Sequence, residues 1–352
     1  MVKLTDNVFS EANTDLAEAL RKVSKSNEPR VVLVSDMNVV NQTEGLGKKI
    51  GTYFNEHGIK LCGKPVVLAG GERIKLDNMN SAARAMNGIL DAKLGKNDIV
   101  LALGGGTVLD VAGYAAAQVR GGTKLVRIPT TVAAMIDAAY AETASLDSGK
   151  VKDAFRIPSV ADAILVDRKF AMTILDGVWR AGFSEAARLA AACDAKLMDF
   201  ILEEAENIRR KDEDTMFEVI ERCFKVRQKK DPKNFGEWSA VRLESMSGYK
   251  LPHGYAIAIG VMIDATYSML KGFLSQDEWR QIADFMNKCG AMDGAVHSRH
   301  LVNQVDTVMF GLDAWELAYG DEGIYIPNGL GKLVQDKKPD RETMQKAINM
   351  IK

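Results

Sequence analysis

The sequence predicts two domains of different fold class: a Rossmann-like α/β domain with a parallel sheet over residues 1–170, and an all-α domain over residues 171–352. In the first half, short runs of apolar, often branched residues alternate with segments of helical spacing, which is typical of a parallel sheet covered by helices. Beyond about residue 170 the strand-like runs nearly disappear, while helical spacing continues. We expect a cleft between the two domains.

Buried strands are predicted where the chain is apolar throughout rather than alternating. Such runs cover residues 30–36, 65–68, 99–103 and 124–128. The segments 44–56, 76–92 and 108–119 have the spacing of helices. Ligands of parallel sheets bind beyond the carboxyl ends of the strands. Polar or glycine-rich turns fall at that edge, at Asp36, at Gly70 to Glu72 and at Gly104 to Gly106.

The second half is predicted to consist of helices. The helical segments cover residues 179–201, 214–229, 254–269 and 276–288, with a closing helix at 340–351. Ser275 and Glu278 have the spacing of a capping box, which marks a helix start.

Composition excludes several classes of function. The chain has 352 residues, 26% of them charged, and a net charge of -1, which argues against general electrostatic binding to nucleic acid or anionic membranes. Its four cysteines are scattered, as expected of reduced thiols in the cytosol. The first residues lack a secretory apolar core, and no run approaches the roughly 20 apolar residues of a membrane span. We therefore expect a cytoplasmic protein.

Three consecutive glycines, Gly104, Gly105 and Gly106, follow the apolar run 99–103 and precede a predicted helix. Backbone N–H groups at such a strand–turn–helix junction point outward, and the helix N-terminus favours an anion. Glycines also let a pyrophosphate approach the backbone closely. A tight turn needs glycine for steric reasons too, so the triple glycine alone leaves both explanations open.

Three residues of the second half are candidates for a metal site. His253 lies between Pro252 and Gly254 at a predicted helix start. Glu185 is a carboxylate in a small, apolar stretch, where it must be paired, coordinated or exposed. Glu237 lies at another helix start, where its negative charge could instead interact favourably with the helix dipole. One histidine and two carboxylates could hold a divalent ion. His297 and His300 fit a solvated turn better than a ligand pair.

The order of these motifs resembles the dehydroquinate synthase superfamily of sugar-phosphate cyclases, and most closely the cyclase-like proteins of bacterial Ebo gene clusters. The similarity runs from about Val32 to Leu274. The segments that carry it are 70–75, 104–117, 126–132, 179–185 and 253–260. It implies a dehydroquinate synthase-like fold and a homodimer of C₂ symmetry.

The resemblance also implies that the α/β domain binds NAD. By motif, Asp36, Glu72 and Lys75 would contact the adenosine and ribose side, and Gly106 to Asp110 would surround the pyrophosphate. The full set of implied cofactor residues is Asp36, Gly71, Glu72, Lys75, Gly105, Gly106, Thr107, Val108, Asp110, Thr130, Thr131, Phe170 and Thr173. The resemblance implies Glu185 and His253 as metal ligands, with Zn²⁺, Co²⁺ or Mn²⁺ as the ion. Glu237, in the place of the family's middle histidine, is the candidate third ligand. The implied catalytic residues are Asp137, Lys150 and Arg188.

This chain departs from the family pattern at the metal and substrate positions. Glu237 stands where the family has a histidine, Val241 where it often has a second, and Arg188 where it has a lysine. Arg188 could also simply neutralise Glu185 by an ion pair. A carboxylate in place of an imidazole would lower the Lewis acidity of a bound ion. The substrate lysine beyond Asp137 is replaced, and that loop is shorter before Lys150.

Three functions follow from these observations. The first is a divergent sugar-phosphate cyclase, in which NAD and a divalent metal support transient alcohol oxidation, phosphate elimination and ring closure. The second is an NAD- and metal-dependent polyol dehydrogenase. The third is a non-catalytic NAD-binding relative. The expected partner is a small sugar phosphate or polyol, and neither nucleic acid nor membrane is expected.

Overall fold

A parallel sheet organises the first of two units into which the chain divides. The computed structural model describes residues 1–149, 151–293 and 302–351. The units are Met1–Ile174 and Leu175–Lys352. Lys150, His297 and His300 lie outside the described residues, so the predictions made for them stay predictions.

The main sheet of the first unit has the strand order β1-β9-β6-β5-β2-β3, and β4 also pairs with β2. All its pairings are parallel. Its strands are β1 (Val2–Thr5), β2 (Arg30–Asp36), β3 (Lys60–Leu61), β4 (Val66–Leu68), β5 (Ile99–Gly104), β6 (Lys124–Pro129) and β9 (Ala163–Asp167). An antiparallel hairpin, β7 (Thr143–Ser148) with β8 (Val151–Pro158), was not predicted.

Six α-helices accompany this sheet in the described residues of the first unit. They are α1 (Asp15–Ser24), α2 (Met37–Gln42), α3 (Leu46–Glu56), α4 (Asn80–Asp91), α5 (Gly106–Gln118) and α6 (Val132–Ile136). Strand β5 is buried along its whole length, and α5 buries most of its residues. The predicted helix over 76–92 starts later, at Asn80, because Asn78 and Met79 have positive φ.

In its described residues, the second unit is helical apart from one small hairpin. Its described helices are α7 (Asp176–Cys193), α8 (Ala195–Glu203), α9 (Ala205–Arg209), α10 (Glu213–Arg227), α11 (Glu237–Met246), α12 (His253–Leu270), α13 (Gln276–Lys288), α14 (Val305–Tyr319) and α15 (Arg341–Met350). The hairpin pairs β10 (Ile324–Pro327) with β11 (Leu333–Asp336). Helix α12 is buried over most of its length and packs against α7, α11 and α15.

The predicted fold class is confirmed: a parallel α/β unit is followed by a helical one. The prediction of a single helix over 179–201 is wrong, since α7 ends at Cys193 and α8 begins at Ala195, with Asp194 between them. Asp194 adopts an extended backbone, and its carboxylate accepts a hydrogen bond from the Leu197 N–H as the cap of α8. None of the helices in the described part of the chain combines the length and the apolar character that a bilayer span requires.

Candidate functional site

The glycine turn of the first unit joins β5 to α5 at the carboxyl edge of the sheet. Gly105 has an extended backbone at the N-cap of α5, and its carbonyl accepts from the N–H groups of Val108 and Leu109. A Cβ on Gly104 would lie 2.8 Å from that of Val108, and a Cβ on Gly106 would lie 3.1 Å from that of Ala138. The turn therefore has no room for larger side chains.

Asp36 and Gly70 meet beside this turn. The Asp36 carboxylate accepts from the Asn38 N–H at 2.8 Å, and the Gly105 backbone also donates to it. Burial raises the pKa of Asp36 although these hydrogen bonds act against it. Gly70 has φ +75, and a Cβ there would lie 2.7 Å from an Asp36 oxygen. The structure thus brings the ends of β2, β4 and β5 together, as predicted for such a sheet.

Thr130 and Thr131 complete the same edge after β6. The Thr130 N–H donates to the Gly104 carbonyl at 3.0 Å, and Thr131 caps α6 through the Ala134 N–H. The Thr130 hydroxyl is buried and has no hydrogen-bond partner among the described residues. A buried, unsatisfied hydroxyl beside a glycine turn fits a bound polar ligand, because leaving it unpaired costs about 1–3 kcal/mol. The glycine turn and Thr130 are therefore compatible with NAD, while the individual cofactor contacts predicted from the sequence stay predictions.

Lys75 lies in a buried ion network. Its Nζ is 3.0 Å from Asp110, 3.1 Å from Asp153 and 3.8 Å from Asp147. Burial would lower the pKa of Lys75, but the carboxylates outweigh it and raise that pKa well above its ordinary value. Lys75 is therefore charged and bound to three aspartates, and its predicted contact with a cofactor stays a prediction. Glu72 lies 3.7 Å from Lys152.

Phe170 and Thr173 lie on a short 3₁₀ segment, Arg168–Thr173, that follows β9. Both line a cavity of about 800 Å³ in the first unit, together with Phe9 and Leu46. Asp137 ends α6 and is half-buried. The guanidinium of buried Arg127 donates to the carbonyls of Ala139, Ala141 and Ser159, and so fixes the segment after Asp137.

In the second unit, Arg188 bridges two of the predicted metal ligands. Its Nε donates to Glu185 Oε2 at 2.6 Å, and its Nη1 donates to Glu237 Oε1 at 2.8 Å. Nη1 also donates to the Lys233 carbonyl at 3.0 Å. Burial would raise the pKa of Glu185, but Arg188 and His253 outweigh it and lower that pKa to about 2. Glu185 is therefore ionised, and Arg188 is its charged partner.

His253, the first residue of α12, is oriented by Glu244. Its Nδ1 lies 2.5 Å from Glu244 Oε1, and its Nε2 lies 3.6 Å from Glu185 Oε1. The side chain of Glu244 is fully buried, whereas that of His253 is 39% exposed. Sequence analysis missed Glu244. The sequence gives no direct sign of this contact, because Glu244 lies on α11 and His253 on α12. The two side chains meet only when these helices pack together.

Asp264 fixes the start of α11, on which Glu237 is the first residue. Its two carboxylate oxygens accept from the Gly236 N–H and from Trp238 Nε1, both at 2.7 Å. Gly236 has φ +80, and a Cβ there would lie 2.9 Å from the Val261 nitrogen. Asp264 and Gly236 together thus set the position of Glu237.

As arranged, the predicted ligands do not fit a divalent ion. They are close together, but Arg188 lies between Glu185 and Glu237 and takes one oxygen from each. In residues 1–149, 151–293 and 302–351, no three His, Cys, Asp or Glu side chains form a group that could hold a metal. The pair Glu185 Oε1 and His253 Nε2 remains, at 3.6 Å. The metal site stays a prediction.

A parallel α/β unit with a glycine turn, followed by a helical unit, defines the fold class, and comparison with known proteins gives the family. The model of the 3-dehydroquinate synthase N-terminal region matches residues 65–180, and that of the C-terminal region matches residues 182–309. Together they cover more than half of the chain. The chain belongs to the dehydroquinate synthase superfamily.

Curated relatives agree with this family. The 3-dehydroquinate synthase of Sulfolobus acidocaldarius is 27% identical over 197 residues, 53% of this chain and 56% of that protein. The one from a Geobacter species is 29% identical over 232 residues, 62% of this chain and 63% of that protein. These matches span less than two thirds of either relative. The Campylobacter hominis enzyme is 24% identical over 292 residues, 79% of this chain and 82% of its own.

Two solved structures share the fold. One is 2-epi-5-epi-valiolone synthase from Streptomyces hygroscopicus with NAD⁺ and Zn²⁺ bound, with a TM-score of 0.86 at 22% identity, covering 100% of this chain and 96% of its own. The other is 2-deoxy-scyllo-inosose synthase complexed with carbaglucose-6-phosphate, NAD⁺ and Co²⁺. Its TM-score is 0.77 at 16% identity, and the match covers 99% of this chain and 96% of its own.

Proposed function

We propose that this chain is an NAD-dependent enzyme acting on a small, polyhydroxylated phosphate ester, as a divergent sugar-phosphate cyclase. The observation that carries the proposal is the glycine turn at the end of β5 beside the buried, unsatisfied hydroxyl of Thr130. The substrate class is supported by family membership and by the synthases of similar fold, whose structures hold NAD⁺ and, in one case, carbaglucose-6-phosphate.

The NAD pyrophosphate would lie against the turn at Gly105, Gly106 and Thr107, where backbone N–H groups begin α5. The Thr130 hydroxyl would donate to it or to a neighbouring oxygen. Phe170 and Thr173, on the segment that follows β9, would add an apolar and a polar contact. When bound, NAD supplies an acceptor for a hydride from a secondary alcohol.

His253 would carry the proton of that alcohol. Its ring is 39% exposed, so a substrate can reach it. Glu244 contacts Nδ1, and Nε2, which faces Glu185 at 3.6 Å, would take up the proton. The buried guanidinium of Arg188 would keep Glu185 ionised beside it. As they stand, the predicted metal ligands do not fit a divalent ion, and the positive charge between the two carboxylates is that of Arg188.

Calorimetric titration with NAD⁺ tests the nucleotide part. Wild type should bind, and Gly105→Val should weaken binding on the order of tenfold or more, because its added carbons occupy the approach to the turn and press on Thr131, 3.2 Å from the Cβ position. Gly47→Val is the control, since no atom lies within 4 Å of its Cβ position. Wild type without affinity for NAD⁺ would refute the proposal.

Incubation with a panel of sugar phosphates tests the reaction. A cyclase returns the hydride, so it should release phosphate and form a new ring, detected by NMR, without net NADH. A polyol dehydrogenase would accumulate NADH, detected by its absorbance, without phosphate release. NAD binding with no turnover of any substrate would favour the non-catalytic alternative.

A further inference from the structure

We infer that Arg188 is the resident cation of the centre formed by Glu185, Glu237 and His253, and that its guanidinium occupies the place between the two carboxylates where a divalent ion would bind. The wild-type chain is then a poor binder of divalent metal ions at this centre. The inference does not depend on the proposed function, since its test uses neither NAD nor a substrate.

The guanidinium of Arg188 is held firmly between its acceptors. The side chains of Arg188 and Glu185 are 1% and 2% exposed, so their contact is shielded from water. The distances of 2.6 Å to Glu185 and 2.8 Å to Glu237 are those of charge-assisted hydrogen bonds. The Lys233 carbonyl accepts from Nη1 at 3.0 Å and so helps to hold the guanidinium in place. The guanidinium is fixed by three acceptors.

A guanidinium is suited to contact both carboxylates at once. Two different nitrogens of Arg188 reach the two carboxylates at once. A planar guanidinium can do this, whereas the single ammonium of a lysine is a point charge. Glu237 and Arg188 are also among the positions at which this sequence departs from the pattern it resembles. The added carboxylate and the forked cation are complementary, since the one accepts what the other donates.

The positive charge of Arg188 opposes the binding of a divalent ion at the same place. A divalent ion between Glu185 and Glu237 would have to displace Arg188 or lie beside it. Displacement would leave a buried guanidinium without its partners, which is costly, and coexistence would place like charges within a few ångströms in a poorly solvated site. Either route weakens metal binding.

Metal uptake and thermal unfolding test the inference in the full chain. Each protein is stripped with a chelator, equilibrated with Zn²⁺ and desalted, and its metal is counted by mass spectrometry. Wild type should retain far less than one ion per chain, and its Tm should not rise with Zn²⁺. Arg188→Met should have a lower Tm, bind Zn²⁺ on the order of 10- to 100-fold more tightly, and recover Tm when Zn²⁺ is added.

Two further variants make the result specific. Arg188→Lys retains the positive charge but lacks the planar guanidinium that contacts both carboxylates. Its affinity for Zn²⁺ should therefore lie between those of wild type and Arg188→Met. Adding His253→Ala to Arg188→Met should remove the gain in Zn²⁺ binding, because the ion then loses its imidazole ligand. A gain that survives this change would arise elsewhere on the protein and would contradict the inference.

If Arg188→Met folds neither with nor without Zn²⁺, Arg188→Lys gives the answer. It keeps the positive charge beside Glu185 but cannot reach both carboxylates at once, so it should bind Zn²⁺ more tightly than wild type. Arg188→Lys that binds no more Zn²⁺ than wild type would overturn the inference. So would wild type that retains one Zn²⁺ per chain after desalting.

Discussion

Asp264 provides a quantitative test of how the second unit is stabilised. It is buried and accepts from two neutral donors at 2.7 Å, the Gly236 N–H and Trp238 Nε1. Burial outweighs these hydrogen bonds and raises the pKa of Asp264 from 3.8 to about 7. The folded state therefore binds this proton more tightly than the unfolded state. The resulting stabilisation is complete below pH 3.8 and is lost as pH rises through about 7.

The magnitude follows from linkage. Between the two pKa values the folded state holds one proton more, so the free energy of unfolding falls by about 1.4 kcal/mol per pH unit. From pH 5 to pH 8, Asp264 alone should remove about 2.5 kcal/mol. Asp264→Asn cannot titrate, so its unfolding free energy should lack this loss. The difference in the free energy of unfolding between the variant and wild type should therefore shift in favour of the variant by about 2.5 kcal/mol from pH 5 to pH 8.

Tryptophan fluorescence measures this unit separately. All four tryptophans, Trp179, Trp238, Trp279 and Trp315, belong to Leu175–Lys352. Denaturant unfolding followed by fluorescence therefore reports on the second unit alone. Asp277→Asn is the control, since its side chain is 87% exposed. Parallel pH profiles for wild type and Asp264→Asn would show that Asp264 does not titrate in this interval, and the argument from burial would be refuted.

Three further predictions concern packing and assembly. Lys75→Met should destabilise the first unit by about 3–5 kcal/mol, because three aspartates lose their buried cation; calorimetry should show this loss, and exposed Lys48→Met should not show it. Gly260→Ala should lower the stability of the second unit by about 3 kcal/mol, because its Cβ would lie 2.0 Å from the Gly236 carbonyl oxygen. Gly177→Ala, with 3.8 Å to its nearest neighbour, should be nearly silent by fluorescence. Light scattering should give the mass of a dimer, and a monomer at micromolar concentration would contradict that expectation.

Strands buried on both faces could be predicted from the sequence, because an unbroken apolar run is enough to identify them. β2, β5 and β6 are of this kind, and their predicted bounds differ from the observed ones by one residue at most. The hairpin of β7 and β8 could not be found this way. β8 is largely exposed or half-buried and carries polar side chains, so its pairing depends on tertiary contacts rather than on pattern.

The candidate sites show a similar division. The glycine turn is local in sequence, so its geometry follows from a few consecutive residues. The charges of the second unit are not local: Arg188 and Glu237 are 49 residues apart, and their contact exists only once α7 and α11 are packed. The sequence offered a metal or an ion pair at Glu185, and choosing between them required the distances from Arg188.

The edge of the main sheet next to β2 has a consequence for aggregation. Two short strands share that edge, with β3 (Lys60–Leu61) pairing with the beginning of β2 and β4 (Val66–Leu68) pairing with its end. Gly63, at φ +70, and Pro65 lie between them. A long, flat edge strand would offer a row of free N–H and C=O groups to other chains, whereas this interrupted edge offers only short stretches. Replacing the interruption with a continuous β-forming segment should therefore promote strand-to-strand association of partly unfolded chains.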